Sequence, residues 1–294
     1  MRQAYFKMHI AILLWGFTAI FGKLISLDAG LLVWYRMLLS SIATAIFLIA
    51  TRNFKIPNRT ELTKLAGIGA VIALHWVTLY GAIKASNVSI AISCLSSVAL
   101  FTAILEPLSR KQLPKKAELL LSLAVICGIA IIFSVQKLYL KGIVLSLISA
   151  LLAAIFTILN KKVSHEMDAA RITFFELGTG WIILSLLMPI WFSINGSSFA
   201  LPTNADWGYL LLLSVACTTI AFSLSLQALK KLDAFTMNLS INLEPLYSII
   251  LAIILFNEDK MLNTGFYIGS IIILMSVVLH SIFTIKKKEI SGVD

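Results

Sequence analysis

Glu244 stands near the middle of an apolar stretch and is followed by Pro245, so a carboxylate lies beside backbone that proline disturbs. Proline lacks an N–H and releases the carbonyl four residues back, here that of Ile241. A carboxylate beside a free carbonyl suits a cation or a proton. Thr236, Asn238, Ser240, Asn242, Tyr247 and Ser248 share the stretch. At 100° per residue, Thr236, Ser240, Glu244, Tyr247 and Ser248 fall on one face of a helix, and Asn238 and Asn242 on another. Such a helix cannot face lipid; close packing by small polar residues or the wall of a wet cavity are its two uses. His75 and Trp76 occupy the middle of another apolar stretch, with Thr78 and Tyr80 beyond. A neutral histidine can relay protons, bind a substrate or simply tie two helices together. Trp15-Gly16 puts a large aromatic at mid-depth rather than in an interfacial belt, where tryptophan is usual. Glu176 lies one to two turns inside a further stretch, five residues after Arg171, too far around the helix for a direct pair.

These groups sit in ten apolar stretches, residues 8–26, 30–50, 65–84, 87–108, 117–135, 140–160, 170–192, 206–228, 235–256 and 264–285. A bilayer core of about 30 Å needs roughly 20 helical residues, which each stretch supplies. The 294 residues are 59% hydrophobic and 13% charged, with a mean hydropathy of +0.95. The sequence therefore predicts an all-α polytopic membrane protein of ten transmembrane helices.

Charge sets the orientation. With the N-terminus placed in the cytoplasm, 17 lysines and arginines fall on that side and 4, Lys84, Lys137, Lys141 and Lys260, on the other. That bias predicts cytoplasmic termini in a cell (inner) membrane. The net charge of +10 thus reads as topology and contact with anionic headgroups, and its dispersal over short loops argues against nucleic acid. Cys94, Cys127 and Cys217 lie within apolar stretches without metal-ligand spacing, so neither a disulfide framework nor a metal is expected. No cofactor motif is present.

The chain also repeats itself. A displacement of 146 residues lays the third and fourth stretches on the eighth and ninth; one of 135 lays the first two on the sixth and seventh and brings Arg36 onto Arg171. The repeats divide the chain into residues 1–137 and 138–294. Five spans per half make the halves inverted copies, the arrangement many secondary transporters use for alternating access. Arg36, Arg171 and Pro245 are read as structural or gating residues, the arginines as snorkelling or salt-bridged. Glu106-Pro107 ends the fourth stretch, where capping, gating or plain exposure would suit the carboxylate.

Trp15-Gly16, Arg36, the small-residue-rich fourth and ninth spans and the acidic turn at Phe256-Asn257-Glu258 together resemble the drug/metabolite transporter superfamily, closest to its EamA-type branch. The first-half counterpart of that turn, from Glu106 to Gln112, departs from the pattern. The resemblance implies gradient-linked movement of small metabolites, commonly export of amino acids or related compounds. Its partners would be a small-molecule substrate and the lipid bilayer. An intramembrane enzyme competes poorly, since HExxH, GxSxG and paired-aspartate motifs are missing. The missing Walker A sequence excludes ATP-driven transport by this chain alone, and a lipid-handling or purely structural role is the third reading. The predicted substrate cavity lies near the midplane between the halves, walled by Trp15, His75, Trp76, Tyr80, Asn238, Asn242 and Glu244, with Ser97, Phe222 and Ser223. Glu244, Glu176 and His75 are the candidates for proton coupling, Glu244 first because it sits at mid-depth.

Overall fold

The structure, a computed structural model, describes residues 1–135, 139–241, 243–257 and 264–291, which are helical with short connections and contain no strand. The first predicted span is α1 (Arg2–Gly16) and α2 (Thr18–Leu24), broken at Phe17. Next come α3 (Ala29–Ala50) and α4 (Arg59–Ala85). The fourth span divides into α5 (Val88–Leu95) and α6 (Val98–Ser109), and α7 (Lys116–Val135) closes the first half. The second half opens with α8 (Leu140–Val163) and α9 (Ala169–Asn195). Its third span joins α10 (Asn204–Ser214) and α11 (Ala221–Leu229) through a π-helical turn, Val215–Ile220. Then follow α12 (Ala234–Ile241), α13 (Glu244–Phe256) and α14 (Thr264–Ser291).

Polar residues just outside the apolar runs start these helices. Asp28 accepts from the amides of Gly30 and Leu31, Asn87 from that of Ile90, and Asp168 from that of Ala170. Asn58 with Glu61, and Thr203 with Asp206, form reciprocal capping boxes. The capping box at Asn58 explains why α4 begins six residues before its predicted apolar stretch: a helix can run past the hydrocarbon layer wherever its free amides are met.

Seven helical segments are long and apolar enough to cross a membrane: Arg2–Leu24, Ala29–Ala50, Arg59–Ala85, Val88–Ser109, Leu140–Val163, Ala169–Asn195 and Asn204–Leu229. Shorter apolar helices cover Leu119–Gly128, Tyr247–Phe256 and Thr264–Ser276 among the described residues. The outside of the bundle carries Ile46, Phe47, Ile49, Leu186 and Ile254, while Arg36, His75, Asn160, Glu176, Asn238 and Glu244 are buried. Apolar groups outside and polar groups inside are what a hydrocarbon solvent requires.

The halves do not fold as separate lobes. From the first half, α4 packs on α8 and α9, α3 on α9, α1 on α11 and α13, and α6 on α8 and α12. The α4–α9 crossing is close because glycines meet there: a Cβ on Gly69 would collide with the Glu176 carbonyl, and one on Gly180 would lie 2.6 Å from the Gly69 carbonyl. The fourth and ninth predicted spans are each interrupted. Leu95 ends α5 and Val98 starts α6; Ile241 ends α12 and Glu244 starts α13, each 146 residues further on.

Candidate functional site

Arg36 on α3 is 1% exposed, and among the described residues no carboxylate bonds it. Its Nε donates to Thr218 Oγ1 at 2.8 Å and its Nη1 to the Tyr80 hydroxyl at 2.7 Å; Nη2 has no described partner. The guanidinium lies over the Trp76 ring, 3.7 Å from the centroid. A cation on a tryptophan face is attracted by the ring quadrupole, more so when water is excluded. Local structure aims each partner. The π-helical turn brings Thr218 to Arg36, its hydroxyl also donating to the Leu213 carbonyl. Gly22 lets the Tyr80 ring settle against α2, because a Cβ there would overlap it.

Arg36 forms part of the wall of a cavity of about 70 Å³ between the helices. Of the site residues named from the sequence, Trp15, His75, Trp76, Phe222, Asn238 and Glu244 line it. Glu244 has no described hydrogen bond and lies within the electrostatic reach of Arg36. His75 Nδ1 meets the Ser149 carbonyl at 2.9 Å, and the Ser149 hydroxyl donates back to the His75 carbonyl at 3.0 Å. The Ser149 hydroxyl also lies 2.8 Å from Nδ1, so this nitrogen either donates to the carbonyl or accepts from the hydroxyl, according to the tautomer of the ring. Three lining side chains hold polar atoms with no partner: Thr18 Oγ1, Asn160 Oδ1 and Asn238 Oδ1. Buried polar atoms are nearly always paired, so these three are free to meet a polar group in the cavity.

Other predicted residues fall elsewhere. Tyr80 stands behind the wall as a support for Arg36. Ser97 turns its hydroxyl to the Cys94 carbonyl at 2.9 Å, and Ser223 is half-buried against Thr173 at 3.4 Å. Asn242 lies outside the described residues. The single helix assumed for the ninth span is two: Pro245 sits in the first turn of α13, where its missing N–H has no bond to make, so it starts a helix rather than kinking one. Ser248 therefore bonds away from Glu244, to the Gly16 carbonyl at 2.8 Å. Arg36 neither snorkels nor joins a salt bridge; it belongs to the cavity. Arg171 does remain peripheral, its Nε donating to the Lys55 carbonyl at 3.3 Å. The sequence reading missed Thr18, Phe156, Thr157, Asn160 and Ser225 on the wall. Asn160 was hidden by its position next to Lys161-Lys162, which reads as the end of a span.

Bonds between residues far apart in the chain join helices at both ends of the bundle. At one, Glu106 is buried rather than exposed: it takes the Phe235 amide at 2.8 Å, capping α12, and Arg110 Nη2 at 2.7 Å. Lys7 donates to Gln227 Oε1 at 2.7 Å there. At the other end, Asp206 accepts from the Ser26 amide at 2.8 Å and hydroxyl at 2.6 Å, and Asp28 from Trp191 Nε1 at 2.9 Å.

The model of the EamA-like transporter family matches the sequence twice, over residues 2–134 and 140–282. The chain belongs to the EamA-like transporter family. An "Uncharacterized transporter" of Archaeoglobus fulgidus is 28% identical over 298 residues, covering 94% of this chain and 96% of its own. The "Uncharacterized transporter YxxF" of Bacillus subtilis is 24% identical over 256 residues, covering 84% and 80%. A solved structure known as "Crystal structure of protein" shares the fold, with a TM-score of 0.71 at 14% identity, over 95% of this chain and 98% of its own. This EamA-like protein is thus a multi-pass membrane transporter, and a small molecule crossing a lipid bilayer is what its apolar helices and family fit.

Proposed function

We propose that this chain is a secondary active transporter that exports small zwitterionic metabolites, such as amino acids or related compounds, by alternating access driven by the proton gradient. The observation that carries the reading is the pairing of Arg36 and Glu244 on the wall of one cavity without a bond between them. A cation with a free Nη2 faces a carboxylate, and each can be met by the opposite end of a zwitterion. Asn238 and Thr18 offer further polar atoms, and Trp15, Phe156 and Phe222 give an apolar surface for a side chain.

Ten spans in two inverted five-helix repeats, 1–137 and 138–294, would place this cavity on the pseudo-twofold between the halves. The doubled family match and the two helix breaks 146 residues apart support that duplication. Half-helices meeting at mid-membrane are how such transporters expose polar backbone to a substrate. The bonds at both ends fit an occluded intermediate, in which opening either end breaks contacts between the halves. The 17 to 4 charge bias places both termini in the cytoplasm of an inner membrane. Nothing in this reading asks for catalysis or a cofactor.

A thermal-shift screen in detergent tests recognition first, since a ligand that binds the folded state raises its apparent stability. Amino acids are expected to raise Tm in the wild type and not in Arg36→Gln. A screen in which no zwitterion acts, while cationic or lipidic compounds do, would replace the reading.

A further inference from the structure

Glu176 on α9 is 0% exposed, and only one of its oxygens is engaged: Oε2 accepts from Asn160 Nδ2 at 3.3 Å. Oε1 has no partner, and neither has Oδ1 of the same Asn160. Two acceptors of one bonded pair are thus left over, in an interior where unmet polar atoms are rare. Among the described residues no cation is paired with the carboxyl. The titratable groups on the helices around it are Tyr35 and Arg36 on α3, and Arg59, Glu61, Lys64, His75, Tyr80 and Lys84 on α4. Lys141, Lys161 and Lys162 lie on α8, Arg171 on α9, and α11 has none. None bonds to Glu176. Arg36 is engaged with Thr218 and Tyr80, Lys64 pairs with Glu166, and Lys161 donates to the Leu229 carbonyl. The close α4–α9 crossing at Gly69 leaves no space beside the Glu176 backbone.

A buried carboxylate without a cation is the form least compatible with such a place. A carboxylic acid and a primary amide can close a two-bond ring, acid O–H to amide oxygen and amide N–H to acid carbonyl. The bond from Asn160 Nδ2 to Oε2 is one half of such a ring, and Oε1 and Oδ1 are the atoms left over for the other half. We propose that Glu176 and Asn160 form a proton-binding site whose acid is neutral in this conformation. Asn160 connects it to the cavity, since its side chain is also part of the wall. An occupant that draws on Asn160 Oδ1 opens the ring and removes the acceptor of the acid proton, so substrate entry favours proton release. Among the three candidates from the sequence, Glu244 lies within reach of Arg36 and His75 commits Nδ1 to Ser149; Glu176 alone has a partner waiting for a proton. The use of the proton in transport rests on the transporter reading; its presence does not.

Infrared spectroscopy of the purified protein in lipid nanodiscs at neutral pH tests the site. The wild type should show a carboxylic-acid C=O stretch that Glu176→Gln removes and Glu244→Gln leaves in place. Glu176→Gln keeps the ring, because the new amide donates where the acid did, so the variant is expected to fold. Asn160→Leu supplies a second test without touching Glu176: the band should persist and move to the frequency of an acid lacking one hydrogen bond. A band unmoved by either change, or no such band in the wild type, would overturn the proposal. In proteoliposomes, Glu176→Gln should lose accumulation driven by a pH gradient and keep substrate exchange. Wild-type liposomes that accumulate nothing while the infrared result stands would sink the transporter reading and leave the proton site intact.

Discussion

At the scale of single residues, the account turns on an arginine that the sequence reading took as a structural or gating group, snorkelling or salt-bridged. Arg36 was legible as an ionisable group in an apolar stretch, but spacing along one chain does not say which helices will surround it. Its neighbours come from three places, Trp76 and Tyr80 on α4, Thr218 in the π-helical turn and Glu244 at the start of α13. If Arg36 holds a substrate carboxylate, Arg36→Gln should weaken zwitterion binding by at least about tenfold, the worth of roughly 1.5–3 kcal/mol for a bond to a charged group. Amines lacking the carboxylate should bind the wild type and the variant alike. Isothermal titration with an amino acid and its decarboxylated analogue measures both, and equal losses for the two ligands would mean that Arg36 only supports the fold.

At the scale of elements, the apolar runs located the helices, and the capping residues account for where they outlast those runs. The breaks were harder to read. Nothing in the Ser96-Ser97 neighbourhood departs from a helical apolar run, and Pro245 suggested a kink in a continuous helix where the chain starts a new one. Projecting Thr236 through Ser248 onto one wheel therefore joined residues that belong to two helices. Packing glycines make a sharper test of the observed arrangement. Gly69→Ala sets a methyl against backbone of α9 that cannot yield, and should destabilise by about 1–3 kcal/mol. Gly67→Ala, two residues away with open space around its Cβ position, should leave stability unchanged or slightly raised. Detergent melting curves compare them; equal Tm values would contradict the α4–α9 crossing.

For the whole molecule, the sequence supplied the family, the helical class and a count of basic residues by side, while the interleaving of the halves needed the structure. Matching stretches could be displaced onto one another without revealing that α4 would lie against α8 and α9. Orientation follows from charge: with the native cysteines replaced, a single cysteine in residues 193–205 should react with an impermeant reagent from outside intact cells. One in residues 52–64 should not, and the opposite pattern would invert the assignment. The central claim, a cavity that moves zwitterions at the expense of a proton gradient, is tested most directly by accumulation in proteoliposomes. Under an imposed pH gradient, labelled amino acids should concentrate inside vesicles carrying the wild-type protein, drain when a protonophore is added, and fail to concentrate with Arg36→Gln. Accumulation that survives the protonophore, or that Arg36→Gln leaves at the wild-type rate, would contradict it.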